Sequence, residues 1–263
     1  MSDYLYLYGF VPADAPQPAE ITGINEAAVE LLAVGSGLQA VISHVPANVY
    51  ATEVIDERLQ DLQWVAEQGV AHERVVAWFV DHGQILPVSL LTMYSSLEAL
   101  QTSVYEQEAE LLDNMQRLRG LREWDLKVSF DEQRLLENAA RISERVAELD
   151  QEIAAAPAGK AYLLQKKRAD VLKTEVRHAA HNRAVDVLNA TRTLAVQTRN
   201  LPLPRAADSL PVVLHAALLV RIEHEKDLVA ILEEQAGQLR MVGMDVSFSG
   251  PWAPYRFIGD HEQ

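Results

Sequence analysis

Residues 124–130 read WDLKVSF. Trp124, Leu126, Val128 and Phe130 fall on one side of an extended chain and Asp125, Lys127 and Ser129 on the other, the period-two pattern of a half-buried strand. Beyond it Leu135, Ala139, Ile142, Val146, Leu149 and Ile153 recur at steps of 4 and 3, an a/d seam of about three heptads. AAAPAG at 154–159 interrupts this helix. A second helix is expected to run to about Arg199, with Leu172, Val176, Ala180, Ala184, Val187 and Leu194 on its stripe, until LPLP at 201–204 ends it. Two long helices around a short break form an antiparallel helical hairpin, residues 131–199.

Downstream, VVLHAALLVRI at 212–222 places Val212, Leu214, Ala216, Leu218, Val220 and Ile222 on one strand face. Glu225 to Leu239 has helical periodicity, with Leu228, Ile231, Leu232 and Leu239 inward. Val242, Met244, Val246 and Phe248 alternate with small or polar residues as a closing strand. The order strand, helical hairpin, strand, helix, strand predicts a sheet covered on one side by helices. That is a C-terminal ferredoxin-like domain with the hairpin as an insertion.

Upstream the pattern is a separate mixture of strands and helices. YLYLYGFV at 4–11 carries large residues in both phases, with Tyr4, Tyr6, Tyr8 and Phe10 in one and Leu5, Leu7 and Val11 in the other. It reads as a strand covered on both faces, or as an aromatic edge that adds to another sheet. PADAPQP at 12–18 reads as a loop. Ala28–Ala33 and Leu38–Val45 read as strands joined through GSG at 35–37, which supplies turn glycines. Asp56 to Val80 reads as a helix with Leu59, Leu62, Val65, Ala66 and Val70 on its apolar stripe. QILPVSLLT at 84–92 reads as a strand with Pro87 at its edge or start, and Ser95 to Leu118 as a helix. The overall class is α+β in two domains, 1–120 and 121–263, with the boundary near 119–123.

The 263 residues carry a net charge of −15 and no cysteine. The charge argues against nucleic acid and against an anionic membrane surface as partners. Lack of cysteine removes disulfides, thiolate zinc sites and thiol nucleophiles. No apolar run approaches the ~20 residues of a membrane helix, and MSDYLYLYGF lacks the basic and apolar regions of a signal peptide, so a cytoplasmic protein is expected.

Chemical motifs are sparse. HERVV at 72–76 and HEKDL at 224–228 each open like a zinc-protease helix but lack the second histidine. His178 and His181 share one side of the long helix and read as solvated or interhelical groups. AAAPAGKA at 154–161 contains Gly159-Lys160 but not the first glycine or the terminal Ser/Thr of a phosphate loop. There is no G-x-S-x-G elbow. Lys166, Lys167 and Arg168 read as a solvated helix face, as ion-pair partners of the first hairpin helix, or as a dock for an acidic partner. No catalytic, metal or cofactor residue is assigned.

The last distinctive stretch is SGPWAPYRFIG, 249–259. Gly250 and Pro251 are expected to end the closing strand. Trp252, Pro254, Tyr255 and Phe257 then form a tail, within 250–263, that either folds back on its own sheet or waits for a partner. Removal of the tail is expected to weaken partner binding while the remaining fold persists.

YLYGFVPAD (6–14), REWDLKV (122–128), GKAYLLQKKR (159–168) and SGPWAPYRF (249–257) follow one another in an order that resembles the GvpL/GvpF family of gas vesicle proteins. The first and last are the distinctive ones. Ala253 stands where members often have the first proline of GPWPPY. The resemblance implies two α+β domains and a non-enzymatic role in gas vesicle formation, in the cytoplasm or on the vesicle, with the hydrophobic shell protein and other accessory proteins as partners. Trp252, Pro254, Tyr255 and Phe257 are the candidate contact residues. A small-molecule-binding or enzymatic ferredoxin-like domain would instead show a deep polar-lined pocket. A coiled-coil adaptor would expose the apolar seam of 131–199.

Overall fold

The structure, a computed structural model, describes residues 3–18, 21–50, 52–204 and 210–259. Two compact units divide the chain, Met1–Glu123 together with Pro251–Gln263, and Trp124–Gly250.

In the first unit the strands are β1 (Asp3–Pro12), β2 (Glu30–Gly35), β3 (Leu38–Pro46), β4 (Leu86–Pro87) and β5 (Met93–Tyr94). The helices are α1 (Ala47–Tyr50), α2 (Thr52–Arg58), α3 (Leu62–His82) and α4 (Leu97–Arg117). The sheet order is β2-β3-β1-β4, with β5 also on β1. Strand β1 is therefore interior, antiparallel to β3, β4 and β5. Leu5 through Phe10 are buried in both phases, the core reading of this segment rather than the edge reading. A bulge between Leu7 and Gly9 offsets the register with β3. Such an offset moves later side chains to the opposite face. Tyr6 and Tyr8 consequently share a core with Val11, not with Phe10 as strict alternation predicts. The β4 backbone lies so close to Gly9 that a Cβ there would collide with the Leu86 carbonyl.

The α3 stripe also differs from expectation. Leu59, Leu62 and Val70 are exposed, and Gln68, His72, Val75, Val76, Phe79 and Val80 face the core. The cause is Asp61, whose carboxylate accepts from the Gln63 and Trp64 amides at 3.0 and 3.2 Å and starts a new helix. A period carried across that cap assigns the wrong face. Residues 84–92 form only the two-residue β4 before β5.

The second unit contains β6 (Leu121–Phe130), α5 (Glu132–Glu137), α6 (Ala139–Ile142), α7 (Glu144–Ala155), α8 (Ala158–Thr191), β7 (Ala195–Asn200), β8 (Val212–Arg221), α9 (Glu225–Arg240) and β9 (Met244–Trp252). Strands β6 and β9 begin or end in the neighbouring unit's residues. The sheet order β7-β8-β6-β9 is that of a ferredoxin-like β-α-β-β-α-β unit. Its β7 was not expected. The second hairpin helix stops at Thr191, and Ala195–Asn200 turns back antiparallel to β8. The first hairpin helix is three pieces, the last restarted at Ser143, whose hydroxyl accepts from the Val146 amide at 3.3 Å. Leu135, Ala139, Ile142, Val146 and Leu149 nevertheless keep one face. All but Leu149 join Val176, Ala180, Ala184 and Val187 of α8, and Trp124, Leu126, Val128 and Phe130 of β6, in one core. The seam is thus spent inside the unit, against the adaptor reading. Arg168 makes two hydrogen bonds to Asp150 across the hairpin.

The polar face of β6 is covered as well. Asp125 is buried, paired with Lys127 at 3.1 Å and with His215 Nε2 at 2.9 Å. Burial raises the pKa of its carboxyl, but the His215 and Lys127 hydrogen bonds outweigh it, and the net direction is downward.

Candidate functional site

Gly250 and Pro251 do not end β9, which continues to Trp252. The chain then turns at Ala253 and Pro254 into a short 3₁₀ turn, Tyr255–Phe257. This segment packs with the first unit rather than with the sheet it leaves, contrary to its expected place in a 121–263 domain. Ala253 sits in the core of Tyr6, Tyr8, Val75 and Phe79, and Phe257 is fully buried. A small side chain at 253 fits a position with 2% exposure.

Four polar clasps fix the segment. The Arg256 guanidinium donates to the Glu123 carboxylate, and its backbone amide donates to the same group at 2.9 Å. Arg117 donates to the Phe257 carbonyl at 2.6 Å and to Asn114 Oδ1 at 2.7 Å. The Gly259 amide donates to that Asn114 oxygen at 3.2 Å. Tyr255 donates to Glu73 at 2.7 Å. Each clasp satisfies a group that would otherwise lose water without compensation. Glu123 is 2% exposed, so removal of the tail would take a cation and an amide donor from a buried carboxylate.

The fourth clasp extends inward. The Tyr255 oxygen lies 3.2 Å from His72 Nε2, and His72 Nδ1 lies 2.8 Å from the Tyr6 oxygen. The Tyr6 oxygen accepts the Leu91 amide at 3.1 Å. Because Tyr255 gives its single hydrogen to Glu73, it accepts from His72, which places the imidazole proton on Nε2. Tyr6 then donates to Nδ1. A neutral ring completes every bond in this chain. Burial lowers the His72 pKa to about 4, opposed by a hydrogen bond with the Val88 backbone. Burial raises the Tyr6 and Tyr255 hydroxyls above their ordinary range, and Tyr255 is raised further by Glu73. A third tyrosine is anchored similarly, with Tyr8 donating to Ser43 at 3.0 Å and accepting the Ile24 amide at 2.8 Å.

The four tail residues singled out from sequence are thus separated in exposure. Phe257 and Pro254 are buried, Tyr255 is half-buried with its hydroxyl engaged, and Trp252 is 41% exposed. His72 of HERVV, scanned from sequence only as a metal ligand, is the centre of the docking network. His224 of HEKDL lies on the surface beside Glu223. His178 lines a groove of about 600 Å³ between α7 and α8 with Arg141, Glu148, Glu175 and Asp186, and His181 does not. Charges of both signs line that groove. Among the described residues no group of three or more His, Asp or Glu side chains is placed to hold a metal ion. None of the helices in the described residues is long and apolar enough to cross a membrane.

Residues 4–259 match the family model described as gas vesicle synthesis protein GvpL/GvpF. The chain is 26% identical to gas vesicle protein L of Streptomyces sp. (strain CB03234), over 98% of this chain and 94% of the relative. It is 27% identical to gas vesicle protein L1 of Halobacterium salinarum, over 99% and 92%. Its fold is similar to the crystal structure of the gas vesicle protein GvpF from Anabaena sp. PCC7120, with a TM-score of 0.69 at 18% identity, covering 99% and 98% of the two chains. GvpF from Microcystis aeruginosa is similar at a TM-score of 0.64 and 20% identity, covering 98% and 99%.

Proposed function

The chain belongs to the GvpL/GvpF family of gas vesicle synthesis proteins, and on that premise we propose that it is an accessory or minor structural protein of gas vesicle assembly. It acts in the cytoplasm and on the growing vesicle, binding the hydrophobic shell protein and other accessory proteins without making or breaking a covalent bond. The observation that carries this reading is the family match along residues 4–259, which spans both compact units and the docked tail. The buried hydroxyl–imidazole chain supports it. Its members are used up in holding the tail, with a backbone amide at one end and Glu73 at the other. The net charge of −15 fits a protein that keeps an apolar client dispersed.

Trp252 is the first contact residue of the tail, because at 41% exposure it is more open to water than Pro254, Tyr255 or Phe257. Pro254, Tyr255 and Phe257 join the contact only when the tail is released. Deleting the gene should abolish buoyant vesicles, and normal flotation without it would overturn the assembly role. Trp252→Ala in the full chain should weaken co-purification with the shell protein several-fold at unchanged melting temperature. Undiminished capture would remove Trp252 from the contact surface and leave the tail as core.

A further inference from the structure

Helix α8 has two different ends. From Val176 onward its inner face is buried in the unit's core, whereas no residue from Asp150 to Glu175 is buried. In this outlying half Ala161, Leu164, Arg168 and Leu172 are partly covered at steps of 3, 4 and 4, the face turned to α7. The opposite face presents Tyr162 at 68% exposure and Leu163 at 66%. Lys160, Lys166 and Lys167 surround them, exposed and in no ion pair among the described residues. Residues 158–168 hold four basic side chains and no acidic one in a chain of net charge −15. An aromatic and an aliphatic side chain ringed by free lysines form a docking surface for an acidic surface that carries its own apolar residues.

Such a surface exists on α4. That helix holds five acidic residues and one basic one. Its inner face buries Leu100, Val104 and Met115, and away from that face it exposes Tyr105 at 81% with Leu112. Glu98, Glu106 and Glu110 lie on that outer side with carboxylates in no hydrogen bond or ion pair among the described residues.

We propose that the basic tip of α8 docks on the acidic outer face of α4 in a second copy of this chain. The two patches differ, so the contact is heterologous, and repeated head to tail it builds a ring or an open array. Tyr162 and Leu163 meet Tyr105 and Leu112, with lysines facing Glu98, Glu106 and Glu110. Two short helix faces bury well under the ~1,600 Å² of a standard interface, so the association is weak and concentration-dependent.

Sedimentation velocity on the full chain up to roughly 0.5 mM tests it, a range chosen for so small an interface. The weight-average sedimentation coefficient should rise with concentration at low salt. It should fall back in ~1 M salt, where screening shortens to about 3 Å. A tip variant, Lys160→Glu with Lys166→Glu and Lys167→Glu, should lower the association constant at least ~10-fold. So should an α4 variant, Glu98→Lys with Glu106→Lys and Glu110→Lys. Mixing the two reversed variants should restore association, because each then offers the other's complement, and this rescue separates a lost contact from a damaged fold. A wild-type chain that stays monomeric throughout overturns the proposal. So does association that survives both reversals, or a mixture that fails to recover. Binding of the wild-type tip only to anionic vesicles or only to another acidic protein overturns it equally.

Discussion

The C-terminal segment 251–259 and the hairpin tip 158–168 are built from similar residues and reach opposite ends. Each is short, and each carries tyrosine and large apolar side chains beside cationic ones. The tail is clasped into the first unit, while the tip stands bare. Apolar content does not separate them. What differs is the supply of partners for polar atoms. Beyond Trp252 the tail is irregular backbone, and Glu123, Asn114 and Arg117 are in place to take its amides and carbonyl. The tip is helix and satisfies its own backbone, and among the described residues only Arg168 of its cations finds a carboxylate, that of Asp150. A greasy segment is buried where its hydrogen bonds can be replaced, and otherwise it remains available.

The most severe break of this contrast is Phe257→Ala. The ring is fully buried in the first unit, and truncation of a buried phenylalanine costs about 3–5 kcal/mol. Hydrogen exchange of β1 and α3 amides should accelerate accordingly, with β6 and β8 amides little changed. Equal acceleration in both units would mean that the tail's burial supports the whole chain cooperatively.

Acid should act on the same region next. The His72 pKa is about 4 in the fold against an ordinary 6.5, so between those values the unfolded chain binds the extra proton. Stability is then complete above pH 6.5 and is lost as pH falls toward 4, by on the order of 3 kcal/mol. The groups facing the ring are Tyr6, Tyr8 and Tyr255, with Glu73 bonded to Tyr255. A second proton on the imidazole would leave the Tyr6 hydrogen without its acceptor. Asp125 in the second unit has a lowered pKa. Its contribution is present above the ordinary carboxylate value of ~3.9 and is lost only below it. Urea melts followed by exchange at several pH values should show the first unit weakening between pH 6.5 and 4 while the second holds. His72→Gln should flatten that slope, and a slope unchanged by the substitution would assign it elsewhere.

Arg256→Ala comes third. Glu123 keeps its burial and its bond from the Arg256 amide but loses the cation. The Arg256 side chain is 40% exposed, which reduces the loss to about 2 kcal/mol. Adding Glu123→Gln should recover part of it, since an uncharged amide tolerates burial better. A double variant no better than the single one would show that the guanidinium matters through packing.

Much of this contrast was legible in the sequence, and the failures have identifiable causes. WDLKVSF and the heptad seam announce themselves because one face of each is apolar and the other is not, and VVLHAALLVRI because it is a nearly continuous apolar run. Ala195–Asn200, AVQTRN, has no such contrast. It is an edge strand with half-covered side chains and a bulge at Ala195/Gln197, and its pairing depends on β8 rather than on its own pattern. The four-strand ferredoxin-like sheet was therefore read with three. Asp61 could have been recognised as a cap, which would have reset the α3 stripe to the His72 face. The docking role of His72 left no local trace, because Tyr6, Glu73 and Tyr255 meet only through folding across more than 180 positions of chain. The aromatic tail was visible as a segment worth keeping, but not the unit that receives it.

The smallest effect on stability is expected at the tip, and there the contrast is sharpest. Tyr162→Ser with Leu163→Ser removes two large exposed side chains from a helix whose outlying half buries nothing. Surface substitutions of this kind change stability by about 0.5 kcal/mol or less. Serine is a modest helix former, so a slight loss of helicity near Ala158 is the only structural consequence. The same pair of changes should abolish the concentration-dependent rise in sedimentation, because charge attraction between exposed lysines and glutamates alone is weak. A large drop in melting temperature would mean that the tip is packed against something within the chain, and the distinction between a segment kept as core and one kept as surface would fail.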